Sequence, residues 1–296
     1  MRKGICRFLL SWLLAVPIAV AQGAHGTSGY APVNGLKMYY EIHGTGMPLI
    51  LIHGGVASGE MFNQILPALS AKRQVVAVDL QAHGRTADID RPLSYEAMAD
   101  DIAGLIRYLG IEKADLMGYS VGGGVALRTA IQHPDLVRKL VVVSATFSRD
   151  GWYPEILTGM ARGAAAAEQM KPTPLYQLYA RVAPRPQDWT VLFTKLAEML
   201  NKNYDWSKEV AGIRPPTLLV FGDADAVRTA HAVEFFELLG GGKKDAGWDG
   251  SGMSTARLAI LPGTTHYSIP TQPALAAVAT EFLDAPVSGI IQTASF

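Results

Sequence analysis

Short apolar runs recur along this chain, and most are separated by stretches with helical spacing. Leu49-Ile50-Leu51-Ile52, Val75-Val76-Ala77-Val78, Leu140-Val141-Val142-Val143 and Thr217-Leu218-Leu219-Val220-Phe221 are continuous apolar segments of strand length, and Ala114-Asp115-Leu116-Met117 is a mostly apolar one. Runs of this kind fit strands buried on both faces. Leu36 to Gly44 reads as a further strand, and Arg257 to Leu261 as another buried one. Between them, Glu60 to Leu69 has helical periodicity, and Tyr95 to Leu109 is an amphipathic helix with Ser94 as its N-cap. Gly124 to Ile131 predicts a helix that stops near His133-Pro134, and another helix begins around Pro273. Strands alternating with helices predict an α/β fold, a doubly wound and mostly parallel sheet covered on both sides.

One region breaks the alternation. From 146 to 212 there is no buried strand, and helical patches are interrupted by Pro172, Pro174, Pro184 and Pro186. This predicts a helical lid inserted into a core formed by 22–145 and 213–296. Aromatic residues are frequent in it: Trp152, Tyr153, Tyr176, Tyr179, Trp189, Phe193, Tyr204 and Trp206. Most are expected to form the insertion's own small core, with roughly one in three facing a substrate. Gly240 to Gly252, rich in glycine and charge, reads as an exposed loop, and no internal repeat is evident.

Composition changes the picture mainly at the N-terminus. Arg2, Lys3 and Arg7 precede the apolar run Phe8 to Val20, and Ala19-Val20-Ala21 offers a small-x-small cleavage pattern. Residues 1–21 therefore read as a signal peptide, with Pro17 and the short run arguing against a membrane span. The expected mature chain starts at Gln22, is exported to the periplasm or beyond, and keeps no membrane anchor. Cys6 is the only cysteine, so that mature chain has no disulfide and depends on its core. The chain has 26 Lys and Arg against 26 Asp and Glu, which gives no basic stripe of the kind that suggests nucleic acid.

The candidate chemistry lies at strand ends. Gly118-Tyr119-Ser120-Val121-Gly122 fits the Gly-x-Ser-x-Gly pattern between a predicted strand and a predicted helix. A serine on such a sharp turn is exposed, and only small neighbours leave room for it. Ser120 then needs a base, an orienting acid and donors for an oxyanion. Pro262-Gly263-Thr264-Thr265-His266 follows one strand, and Gly222-Asp223-Ala224-Asp225 ends another. The order Ser120, Asp225, His266 is the one this topology requires. Asp223 competes for the acid's place but is better placed to fix the turn, and Asp150 is a remote third candidate. His53-Gly54-Gly55 follows Ile52; Gly55 and Val121 N–H groups would form the oxyanion hole, while His53 is expected to shape its loop. His43 and His53 stand ten residues apart and His231 lacks a paired ligand, so no zinc spacing is present and no metal or cofactor is expected.

These motifs, with Asp79 and His83-Gly84-Arg85-Thr86, make the chain resemble the α/β-hydrolase fold superfamily, in its lidded serine-esterase-like branch, from about Tyr30 to Leu283. The resemblance implies acyl transfer on a small-molecule ester or related acyl substrate. Relatives that dehalogenate or open epoxides use an aspartate nucleophile, against the serine found here. Lactonase, amidase and cofactor-free perhydrolase chemistry on the same triad stay open, as does a non-catalytic binding protein on this scaffold.

Overall fold

The computed structural model describes residues 26–286, so the N-terminal segment read as a signal peptide lies outside the described residues. Eight strands form one sheet: β1 (Thr27–Val33), β2 (Leu36–His43), β3 (Met47–Ile52), β4 (Arg73–Val78), β5 (Ala114–Tyr119), β6 (Val137–Val143), β7 (Thr217–Ala224) and β8 (Ala256–Thr265). Their spatial order is β1-β2-β4-β3-β5-β6-β7-β8. β1 and β2 form an antiparallel hairpin turning at Asn34-Gly35, β2 is antiparallel to β4, and the rest of the sheet is parallel.

Alternation within the central strands shows why their sequences are continuously apolar. Ile50 and Ile52 of β3 pack into one core, while Leu49 and Leu51 pack into the other. Leu140 and Val142 of β6 face the first core, and Val141 and Val143 the second. A period of two with both faces covered leaves no polar side. Helices α2 (Tyr95–Tyr108), α3 (Val121–Gln132) and α9 (Thr229–Leu238) contribute to the first core, and α1 (Leu66–Ser70) and α10 (Pro273–Asp284) to the second. Ser94 caps α2, its hydroxyl accepting the Ala97 N–H at 3.0 Å.

Three sequence expectations are corrected. Glu60 to Leu69 is not one helix: a single 3₁₀ turn covers Gly59–Phe62, and the α-helix starts only at Leu66. Pro67 sits in its first turn, where a missing N–H costs nothing, whereas a continuous helix would place that ring against the carbonyl four residues back. Strand β1 precedes the expected first strand, because its Thr-Ser-Gly-Tyr composition and largely exposed edge position give no apolar run. β8, expected to be buried, is the opposite edge strand, with Ile260 40% exposed.

Between β6 and β7 the chain forms α4 (Pro154–Met160), α5 (Ala164–Met170), α6 (Pro174–Val182), α7 (Trp189–Leu200) and α8 (Ser207–Val210). Ionic contacts hold this insertion over the sheet's carboxyl edge. Lys195 Nζ donates to Asp88 Oδ2 at 2.6 Å and to the carbonyls of Ile89 and Arg91 at 2.8 and 3.0 Å. Arg181 reaches Glu60 at 3.0 Å.

Candidate active site

Ser120 stands at the junction of β5 and α3 with φ 53° and ψ −118°, a backbone region that L residues rarely occupy. The surrounding glycines explain how the turn fits. A Cβ on Gly118 would lie 2.0 Å from the Gly122 carbonyl oxygen, and one on Gly122 would lie 2.3 Å from that of Ile52. One on Gly124 would meet the Tyr95 ring at 2.4 Å. Each close approach lets α3 press against β3 and α2, which brings Ser120 to the sheet's carboxyl edge.

The structure brings the three sequence-predicted residues together. His266 Nε2 lies 3.1 Å from Ser120 Oγ, and His266 Nδ1 lies 2.9 Å from Asp225 Oδ1. A carboxylate only accepts, so Nδ1 carries the proton and Nε2 presents its lone pair to the serine hydroxyl. Asp225 is 2% exposed in its side chain. Burial pushes its pKa up, but the hydrogen bond and charge of His266, the Ser144 hydroxyl and the Gly222 N–H outweigh that and hold it below the usual carboxylate value. Gly222 N–H donates at 3.0 Å and Val227 N–H at 3.2 Å.

The two competing aspartates have other partners. Asp223 accepts Gly263 N–H at 2.9 Å and Thr264 N–H at 3.0 Å, tying β7 to the turn that carries His266. Asp150, 80% exposed in its side chain, takes the Ser148 hydroxyl instead. His53 is wholly buried, donating from Nδ1 to the Gly54 carbonyl at 2.6 Å and accepting Leu80 N–H at 3.1 Å. Burial drives its pKa down to about 4, opposed only by the Gly54 carbonyl. With both ring nitrogens occupied it fixes the loop rather than meeting Ser120.

Gly55 and Val121 are neighbours in space: a Cβ on Gly55 would touch Val121 Cγ2 at 3.2 Å. Val121 opens α3, so its N–H has no acceptor within the helix. Both residues, with Ser120 and His266, border a cavity of about 430 Å³. Its far wall comes from the insertion: Met160, Met170, Leu175, Phe193, Leu196 and Leu200. Of the eight aromatic residues singled out in the sequence, Phe193 alone lines this cavity. Tyr176, Tyr179 and Trp189 cluster with one another and with Phe193, and Tyr204 and Trp206 pack on Tyr95.

Trp152, singled out in the sequence only as an aromatic of the insertion, joins three residues beside the site that the sequence reading missed. Tyr119 donates its hydroxyl to the His266 carbonyl, Ser144 donates to Asp225, and Trp152 and Tyr267 meet the imidazole edge-on at 5.5 Å. Tyr119 is the variable position inside the Gly-x-Ser motif, and Ser144 directly follows a buried strand; adjacency was the only signal available for either.

A strained serine turn within hydrogen-bond reach of a histidine, which is itself bonded to a buried carboxylate, stands at the carboxyl edge of an α/β sheet of this order. The family model for the alpha/beta hydrolase fold matches residues 47–281, and the chain belongs to that family. It is 45% identical over 116 residues to a pimeloyl-(acyl-carrier protein) methyl ester esterase of Neisseria meningitidis serogroup B, covering 38% of this chain and 43% of that one. It is 36% identical over 115 residues to a 2-hydroxymuconate semialdehyde hydrolase of Pseudomonas sp. (strain CF600), covering 38% of this chain and 41% of that one. The chain thus spans less than half the length of these two curated relatives. In structure it resembles the enol-lactonase of Burkholderia xenovorans LB400, with a TM-score of 0.69 at 21% identity over 86% of this chain and 100% of that one.

Proposed function

We propose that this protein is a serine hydrolase that cleaves a carboxylic ester, with Ser120 as nucleophile, His266 as general base and Asp225 as its orienting acid. The observation that carries the reading is the continuous relay, Ser120 Oγ to His266 Nε2 at 3.1 Å and His266 Nδ1 to Asp225 Oδ1 at 2.9 Å. Relatives named as an esterase and a semialdehyde hydrolase agree with hydrolytic chemistry.

In this mechanism His266 Nε2 takes the Ser120 proton as Oγ attacks the ester carbonyl. The carbonyl oxygen becomes an oxyanion, held by Gly55 and Val121 N–H groups. The tetrahedral species collapses, the C–O bond to the alcohol breaks, and His266 returns its proton to that oxygen. Water then attacks the acyl-enzyme with His266 again as base, releasing the acid and free Ser120. Asp225 stays ionised throughout and stabilises the imidazolium, which its depressed pKa favours. The helices α4 to α7 act as the lid that shields this chemistry from water. The basic and apolar start of the chain supports export, with cleavage after Ala21.

The test is hydrolysis of p-nitrophenyl esters from acetate through octanoate by the native chain and by Ser120→Ala, beside labelling with a fluorophosphonate. Turnover and labelling confined to the native chain are expected. Near-normal turnover by Ser120→Ala would remove Ser120 from the mechanism.

A further inference from the structure

The cavity has two sides, and the relay tells them apart. The leaving alcohol must lie against His266, because Nε2 returns the proton to it. On that side stands Tyr267, 75% exposed, so the alcohol faces an opening toward solvent. The remaining lining, in which Val56, Leu196, Phe193, Met170 and Leu175 stand, is the surface left to the acyl group.

That acyl wall offers nothing to a charge. Among the described residues, none lining the cavity is Asp, Glu, Lys or Arg. Lys195, next to Leu196 in sequence, is turned away and held by Asp88 and two carbonyls. Arg181 is paired with Glu60, and Arg149 donates to the Leu200 carbonyl at 3.1 Å. The hydroxyl of Tyr119 is committed to the His266 carbonyl at 2.7 Å. A carboxylate carried on the acyl chain and laid against these side chains would meet no cation to replace the water they displace, which costs several kcal/mol where it is buried.

Resting on the serine-esterase reading, we infer that the acyl group is neutral and apolar, and that the apolar wall of α5, α6 and α7 rejects acyl chains ending in a carboxylate. The site is thereby assigned to esters of unsubstituted aliphatic acids rather than to half-esters of dicarboxylic acids.

Three esters test this: p-nitrophenyl hexanoate, mono-p-nitrophenyl adipate with its free carboxylate, and the same adipate masked as its methyl ester. Hexanoate and the masked adipate are expected to be turned over comparably, with kcat/KM for the free acid roughly 100-fold lower or more. Leu175 is 38% exposed, so Leu175→Arg places a cation at the wall without entering the core. That variant is expected to raise turnover of the free acid at least about 10-fold relative to hexanoate. Equal turnover of all three esters, with Ser120 labelled by the fluorophosphonate, would overturn the inference and leave the esterase reading standing. No gain for the acid in Leu175→Arg would overturn the placement of the acyl chain. Absence of both labelling and turnover would overturn the esterase reading itself, and this inference with it.

Discussion

The hydroxyl of Tyr119, the residue before the elbow serine, donates to the main-chain carbonyl of His266 at 2.7 Å, and its ring lies 5.1 Å from the imidazole. The same ring would meet a Cβ on Gly54 at 2.7 Å. Ser120, His266 and the loop of the proposed oxyanion hole are therefore keyed to one buried side chain. Tyr119 touches no reacting atom; it is a positioning residue. Tyr119→Phe keeps the ring and removes the bond, so kcat should fall about 10-fold with KM unchanged, against a stability loss of about 1 kcal/mol. Steady-state kinetics separates this from a purely structural role, which would leave kcat of the folded fraction intact.

Asp225 and Asp223 lie two residues apart and differ in what they hold. Asp225→Asn leaves His266 Nδ1 facing an amide and favours the wrong tautomer, so kcat should drop roughly 1,000-fold or more. Asp223→Asn weakens two backbone hydrogen bonds at a turn and should cost less than about 10-fold. A reversed ranking in turnover would transfer the orienting role to Asp223.

Ser120 occupies its strained backbone geometry at a cost to the fold. Ser120→Ala retains the strain and should unfold at nearly the native urea midpoint. Ser120→Gly tolerates φ 53° freely and should be more stable than Ser120→Ala by about 1 kcal/mol, while also inactive. Equal midpoints for the two variants would show that the elbow stores no strain.

Acid should destabilise the fold well before the carboxylates titrate in the unfolded chain. Burial holds His53 and His231 down to about 4, and His83 down to about 3 with the neighbouring His53 adding to it. Each stays neutral in the folded state while the unfolded chain protonates near 6.5, so stability is lost as pH falls below about 6.5. Asp79 works the other way: burial raises it to about 6, against the Arg85 and Gly59 N–H bonds, so it takes up a proton in the folded state first. Asp101 and Asp115 are also raised by burial, opposed by Arg91 and Asn34 at the first and by Arg138, Arg73 and Lys139 at the second. The three imidazoles, each contributing about 2 kcal/mol over this range, outweigh them, and unfolding free energy should fall by a few kcal/mol between pH 7 and pH 5. Urea titrations at the two values check the sign; a gain in stability at pH 5 would mean that the carboxylates dominate.

Much of this arrangement was legible in the residue order, and for identifiable reasons. The central strands β3 to β7 announce themselves because burial on two faces makes most of their positions apolar, with Arg73, Asp115 and Lys139 as buried exceptions. Ser120 could be found because its turn demands glycine at 118 and 122, and each demand leaves a letter in the sequence. Asp225 and His266 were traceable as polar residues at strand ends in the right order. β1 was illegible because an exposed edge hairpin imposes no apolar period, and the break at Pro67 was overridden by a periodicity that the helix could not use. Tyr119 and Ser144 gave no separate signal, since their partners lie 147 and 81 residues away.

By itself, then, the sequence determined the layered α/β architecture, the serine turn and the order of the three polar residues, because backbone sterics and burial act locally and repeat along the chain. Only the tertiary structure decided that Asp225 rather than Asp223 meets His266, that His53 is locked away, and that the insertion faces Ser120 with methionine and leucine more than with its aromatic residues. Those outcomes depend on which side chains meet across the sheet's edge, and distances of that kind are set by the packing of segments far apart in the chain.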